Sequence, residues 1–223
     1  METQGMAAKM RPDGGIDVVG SMQCPFYVLN AVGKLTGLPL EKINVRQSPT
    51  GGAFGGKEDY PSILGCYAVL LAKKAGRAVR IVYSRHEDII CTPKRHPSQS
   101  HYRLGLKKDG SITALDVEMI LDAGAYTTLS RVVLQRTHLH AAGCYFVPNV
   151  RIHSRALATN TPPNGAFRGF GAPQAIFSME RTMDKAAKVL GMDPLDLRLK
   201  NVLKPGDKFP YGQILKESGN AEA

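Results

Sequence analysis

The sequence predicts an α+β fold. Two observations lead there: strand-like and helical periods are intermixed without strict alternation, and a hairpin dipeptide lies at Asp109-Gly110. The expected architecture is mixed sheets with packed helices rather than a doubly wound sheet.

The elements follow in order. Gly14 to Ser21 (GGIDVVGS) reads as a turn and a strand, and Pro25 to Leu35 has helical apolar spacing stopped near Gly37. Ile43 to Ser48 alternates as a strand. The glycine-rich stretch Gly51 to Glu58 (GGAFGGKE) comes next, then an apolar helix from Pro61 to Ala75 closed by Gly76. Ala78 to Ser84 is a strand, and Tyr102 to Leu106 with Ile112 to Ile120 form an antiparallel pair about Asp109-Gly110. A helix over Val132 to Ala142, a strand over Val150 to Ala158 and a second glycine-rich loop, Ala166 to Pro173 (AFRGFGAP), precede helices at Gln174 to Leu190 and Pro194 to Leu203. The chain is expected to divide into a domain over residues 1–205 and a polar tail over 206–223.

Composition narrows the classes. Apolar residues make up 43% and charged residues 22%, ordinary globular values, and no apolar run approaches the roughly 20 residues that span a bilayer. The N-terminus shows no apolar signal core, so a cytoplasmic location without membrane attachment is expected. The net charge is +10, yet Lys and Arg are spread from Lys9 to Lys216, Trp is absent and aromatics are 7%, which argues against a nucleic-acid surface. A basic surface facing acidic partner subunits or an anionic cofactor accounts for the charge. The cysteines, Cys24, Cys66, Cys91 and Cys144, lack the spacing of a zinc or iron-sulfur site and read as buried thiols.

The first loop imitates a nucleotide-binding P-loop up to Gly56 and Lys57. The eighth position then requires Ser or Thr for magnesium, and Glu58 stands there; its carboxylate at a helix N-terminus would repel phosphate. Two readings of the loop remain: a backbone with outward amides approaching an oxygen-rich ligand, or a tight turn packing helix against strand with Lys57 and Glu58 solvated. In the second loop, Arg168 and Phe170 alternate with Gly169 and Gly171. Either they present a cation and a ring to a flat anionic ligand, or the Arg saturates loop carbonyls while the Phe plugs the core. His138 and His140 lie on different helical faces, the other histidines show no ligand spacing, and no GxSxG elbow occurs; no side chain is expected to ligate metal directly.

Taken together, GGAFGGKE and NGAFRGFGAPQ (Asn164 to Gln174) resemble the paired signatures of molybdenum hydroxylases, particularly the xanthine dehydrogenase and xanthine oxidase family. RHEDI at Arg85 to Ile89, KRHP at Lys94 to Pro97 and DAGAY at Asp122 to Tyr126 agree, and the similarity runs from about Met1 to Pro205. The resemblance implies a molybdopterin-binding fold in which Phe54, Gly55 and Arg168 face the cofactor. It implies that Glu58 hydrogen-bonds a heterocycle, that Arg136 balances its negative charge and that Phe170 contacts its ring. Aldehyde-oxidising relatives generally lack the Glu and Arg pair, so a purine or similar N-heterocycle is the expected substrate, hydroxylated with water as the oxygen source.

The same resemblance implies a molybdenum-molybdopterin cofactor, including its cytosine dinucleotide form, with iron-sulfur clusters and FAD on partner chains. It places a cofactor-contacting glutamine ahead of Met1 and the catalytic general base beyond Ala223, leaving no catalytic residue in this chain. Gln23 is therefore set aside. The expected partners are the remaining molybdopterin-binding sequence, an iron-sulfur subunit and an FAD subunit, and the isolated chain is expected to be inactive; a truncated frame and a split subunit both account for its length. Two alternatives stand: an aldehyde or nicotinate-type molybdenum hydroxylase, and a non-catalytic assembly module that keeps the fold.

Overall fold

The computed structural model describes residues 2–217. They form seven strands and six α-helices, an α+β architecture with one mixed four-stranded sheet and one three-stranded sheet that contains the antiparallel hairpin, as the sequence predicts. The chain gathers into two compact units: Met1–Arg95 with Ala123–Ser130 and Thr159–Arg168, and His96–Asp122 with Arg131–Ala158 and Gly169–Ala223.

In the first unit, β1 (Gly5–Met10), β2 (Ile16–Gly20), β3 (Ile43–Gln47) and β4 (Val79–Val82) make a sheet of order β3-β2-β1-β4. β1 pairs antiparallel with β2 and β4, and β2 pairs parallel with β3. The parallel pair requires a crossover, which α1 (Pro25–Thr36) supplies. Strand alternation puts Met6, Ala8, Ile16 and Val18 on the face covered by α1 and by α2 (Tyr60–Ala75), where Val28, Val32, Leu64, Ala68, Val69 and Ala72 complete the core. At Gly65 a Cβ would lie 3.0 Å from Val28 Cγ1, so this glycine sets how closely the helices approach. Both helices end on left-handed glycines, Gly37 at φ 70° and Gly76 at φ 63°.

Two elements of this unit lie outside the periodicity-based expectation. β1 occupies an interior position of the sheet, yet its short run GMAAKM is rich in Ala and Met, poor strand formers; pairing on both sides overrides the weak propensity. α3 (Arg85–Cys91) is fastened by a capping box: Ser84 Oγ accepts from the Glu87 amide at 3.2 Å while the Glu87 carboxylate accepts from the Ser84 amide at 2.7 Å. The Ser-x-x-Glu spacing is its local signal.

In the second unit, β5 (Ser98–Leu106), β6 (Ile112–Gly124) and β7 (Val150–Ala158) form a sheet of that order, β5 and β6 antiparallel through the tight turn at Gly110, whose φ is 86°. α5 (Ala172–Leu190) places Ala175, Met179, Met183 and Ala187 every fourth residue along its buried stripe, against Leu115, Val117 and Met119 of the sheet. α6 (Pro194–Asn201) is capped by Asp193 and ends on Asn201, which locks the hairpin: its Oδ1 accepts from Ile112 N at 2.9 Å and its Nδ2 donates to Gly110 O at 2.9 Å. α4 (Ser130–Leu139) buries Val133 and Thr137.

The cysteines depart from expectation. Cys24 and Cys66 are half-buried and Cys91 and Cys144 exposed, because Cys91 ends a helix with no buried residue and Cys144 falls in the turn before Tyr145. Among the described residues, no helix is long and apolar enough to cross a membrane.

Candidate cofactor and substrate site

Within the first unit, the first glycine loop meets the opening residues of the second, Ala166 to Arg168. The main-chain amide of Arg168 donates to the Phe54 carbonyl at 2.9 Å, and Gly55 lies so close to the second loop that a Cβ there would stand 2.9 Å from the Ala166 carbonyl carbon and 3.0 Å from Phe167 Cα. Only glycine fits, and its φ of 96° excludes other residues independently. Phe54 itself adopts φ 52° and is 50% exposed, a strained backbone presenting an aromatic ring at the surface of the unit.

The loop is also held by Gln23, an exposed residue. Its Oε1 accepts from the amides of Gly55 at 2.9 Å and Lys57 at 3.3 Å, while its own main-chain amide donates to Lys57 O at 2.7 Å. These bonds commit the Gln23 side-chain carbonyl and leave its NH2 end uncommitted among the described residues. Spacing alone does not reveal that a residue just ahead of a helix reaches a loop more than 30 positions away.

Lys57 departs from the solvated reading. It is 2% exposed, and its Nζ donates to Glu2 Oε2 at 2.9 Å, Ser21 Oγ at 2.8 Å and the Thr3 carbonyl at 3.0 Å. The lysine that mimics a phosphate-binding residue is committed inside the fold. Glu58, next along, is half-buried, and no group among the described residues hydrogen-bonds to its carboxylate. Burial, and then the neighbouring Asp59 charge, push its pKa above the usual carboxylate range.

On the second loop, saturation of the carbonyl falls to Arg95 rather than Arg168. Arg95 Nη2 donates to Arg168 O at 2.6 Å, and the Arg95 guanidinium lies 4.7 Å from the Phe167 ring centroid. The Arg168 side chain is exposed and has no partner among the described residues. Thus Phe54, Gly55 and Arg168 are brought together, with Glu58 at the end of the same loop.

Phe170 and Arg136 belong to the second unit. Phe170 adopts φ 51°, and the following Gly171 packs on α4 with no room for a Cβ beside Val133 O and Thr137. Thr137 Oγ1 donates to Val133 O at 2.9 Å and lies 3.1 Å from Gly171 O, fixing the end of the second loop to the helix that carries Arg136. Arg136 is exposed, its guanidinium unpaired among the described residues.

The donor set fits an oxygen-rich cofactor. Among the described residues the amides of Gly52, Ala53 and Phe54 donate to no protein acceptor, and glycines flank the approach. No group of three or more His, Cys, Asp or Glu side chains that could hold a metal ion occurs among the described residues.

An α+β scaffold that joins two glycine-bearing turns through their backbones, leaving amides and an unpaired cation beside them, is a cofactor-binding scaffold. The chain belongs to the molybdopterin cofactor-binding domain family, which matches residues 1–202. It is 42% identical over 206 residues to the nicotinate dehydrogenase large molybdopterin subunit of Eubacterium barkeri, covering 92% of this chain and 48% of that protein. It is 37% identical over 216 residues to the xanthine dehydrogenase of Drosophila subobscura, covering 97% of this chain and 16% of that protein. Its fold matches the aldehyde oxidoreductase of Desulfovibrio gigas with TM-score 0.89 at 29% identity, over 99% of this chain and 24% of that one. The chain therefore spans less than half the length of these relatives.

Proposed function

We propose that this chain is part of a molybdenum hydroxylase of the xanthine dehydrogenase type, acting on a purine or similar N-heterocycle with water as the oxygen source. In this reading residues 1–205 form part of a molybdopterin-binding domain followed by a polar tail, 206–223. Phe54, Gly55 and Arg168 contact the cofactor, and Glu58, Arg136 and Phe170 hold the substrate. The carrying observation is the bond between Arg168 N and Phe54 O, which joins the two signature loops within a molybdopterin-binding family.

When bound, the molybdenum-molybdopterin cofactor supplies the two-electron oxidation. The chain's own part is electrostatic and geometric. Negative charge develops on the heterocycle as it reacts; the Arg136 guanidinium is the cation proposed to offset it, and the Glu58 carboxyl, held protonated to a higher pH than usual, donates or accepts a hydrogen bond at a ring position. Phe170 supplies a flat apolar contact that orients the ring. The pterin is proposed to carry a cytosine dinucleotide, and iron-sulfur and FAD-bearing partner subunits to remove electrons, in a cytoplasmic complex.

A nicotinate-type hydroxylase is the second reading, favoured by the 42% identity to a nicotinate dehydrogenase subunit. Metal analysis of the complex purified with its native partners tests the class: stoichiometric molybdenum is expected, and its absence would leave a non-catalytic module. Turnover of xanthine, hypoxanthine, nicotinate and benzaldehyde by that complex then ranks the substrates, with the N-heterocycles expected ahead of the aldehyde.

A further inference from the structure

We propose that Glu2 is a positioning residue for the cofactor-facing turn, clamping both ends of the first loop through one carboxylate oxygen. The inference rests on the molybdenum hydroxylase reading above. Glu2 Oε2 accepts from the Gly51 amide at 2.9 Å, where the loop begins, and from Lys57 Nζ at 2.9 Å, where it ends. Ser21 Oγ donates to the same oxygen at 2.8 Å, and the Glu2 amide returns a bond to Gly51 O at 3.3 Å.

The geometry makes this more than a surface ion pair. The Lys57 side chain is 3% exposed, and its acceptors on Glu2, Thr3 and Ser21 all lie on segments flanking β1 and β2. The stretch from Gly52 to Gly56 is thus held as an arch whose two feet stand on one anchor beside the sheet. Along that arch are the strained Phe54, the glycine that must face Ala166, and the amides of Ala53 and Phe54, which donate to no acceptor among the described residues. Gln23 fixes the arch at Gly55 and Lys57; Glu2 fixes its span. Bonds from the Lys57 ammonium, Ser21 and the Gly51 amide hold the Glu2 carboxyl at a pKa of about 2, so the anchor stays charged across the working range of an enzyme. Neither Glu2 nor Lys57 needs to touch the cofactor or the substrate to set where Phe54, Gly55 and Glu58 stand.

The test uses the assembled enzyme with Glu2→Gln, Lys57→Met and the double variant, each assayed per bound molybdenum. Displacing a positioned group by about 1 Å costs on the order of 100-fold in rate. Expected for each single variant are a fall in kcat per molybdenum of about tenfold to 100-fold and an altered molybdenum(V) EPR spectrum. The double variant should lose little more than either single one, because both act through one clamp. Ser21→Ala loosens the clamp without uncovering a charge; it should move kcat and the spectrum in the same direction at smaller amplitude, and decides the matter if the charge variants do not assemble. A lower Tm with unchanged kcat per molybdenum and an unchanged EPR spectrum overturns the positioning role. Wild-type complex free of molybdenum overturns the reading beneath it, and this inference with it.

Discussion

Arg168 donates its main-chain amide to the carbonyl of Phe54 at 2.9 Å, joining two loops separated by more than 100 positions in the chain. The carbonyl and amide belong to backbones already bent by glycine, so the bond fixes the turns directly, independent of any side-chain rotamer. Gly55, immediately after Phe54, fills the remaining gap against Ala166 and Phe167.

Gly55→Ala should break this junction. The new methyl meets main-chain atoms at 2.9 and 3.0 Å in a left-handed backbone, and such strain costs about 1–3 kcal/mol before the loops part. Chemical denaturation of the variant should show that loss, and metal analysis should show reduced molybdenum in the assembled complex. Wild-type values for both would mean the loops tolerate separation.

Arg136→Met should lower kcat/KM for xanthine by about 100-fold while leaving an aromatic aldehyde nearly unaffected, because only the heterocycle accumulates the charge the guanidinium is proposed to offset. Steady-state kinetics on both substrates decide it. Equal losses would remove Arg136 from its assigned role.

Glu58 should impress a titration on the heterocycle reaction. Its pKa is raised by burial and by Asp59, so its carboxylate forms only above the ordinary range, and the associated limb of the kcat/KM profile should lie higher than for a solvated glutamate. Glu58→Gln should abolish that limb. A limb that persists unchanged belongs to another group.

Acid should weaken the first unit through Glu2. The folded pKa, about 2, lies below the ordinary 4.5, so the ionised carboxylate contributes stability that is complete above about pH 4.5 and lost as pH falls toward 2. Glu2→Gln should flatten stability against pH over that window, measured by urea unfolding at successive pH values.

Asn201→Ala should destabilise the second unit by about 1–3 kcal/mol, leaving the Ile112 amide and the Gly110 carbonyl without their partner in a buried hairpin end. Thermal unfolding should show it without any change in substrate preference.

Much of the fold is legible in periodicity and punctuation. Glycine after an apolar helical run marks the ends of α1, α2 and α5, and Asp109-Gly110 marks the hairpin, because left-handed and tight backbones admit few other residues. β1 is hidden, since Ala and Met carry little strand preference and its place is decided by the strands on either side. Lys57 is hidden for a comparable reason: a lysine in a glycine loop is ordinarily solvated, and only the folded chain brings Glu2, Thr3 and Ser21 around it.

The sequence by itself determined the α+β class, the two glycine loops and the acid that ends the first, since each is a local property of residue type and spacing. The tertiary structure alone decided that Phe54 O and Arg168 N meet, that Gln23 and Glu2 frame the first loop, and that Arg95 rather than Arg168 caps the second. Those contacts join residues far apart in the chain, and local preference carries no information about which distant partner will satisfy a buried donor or acceptor.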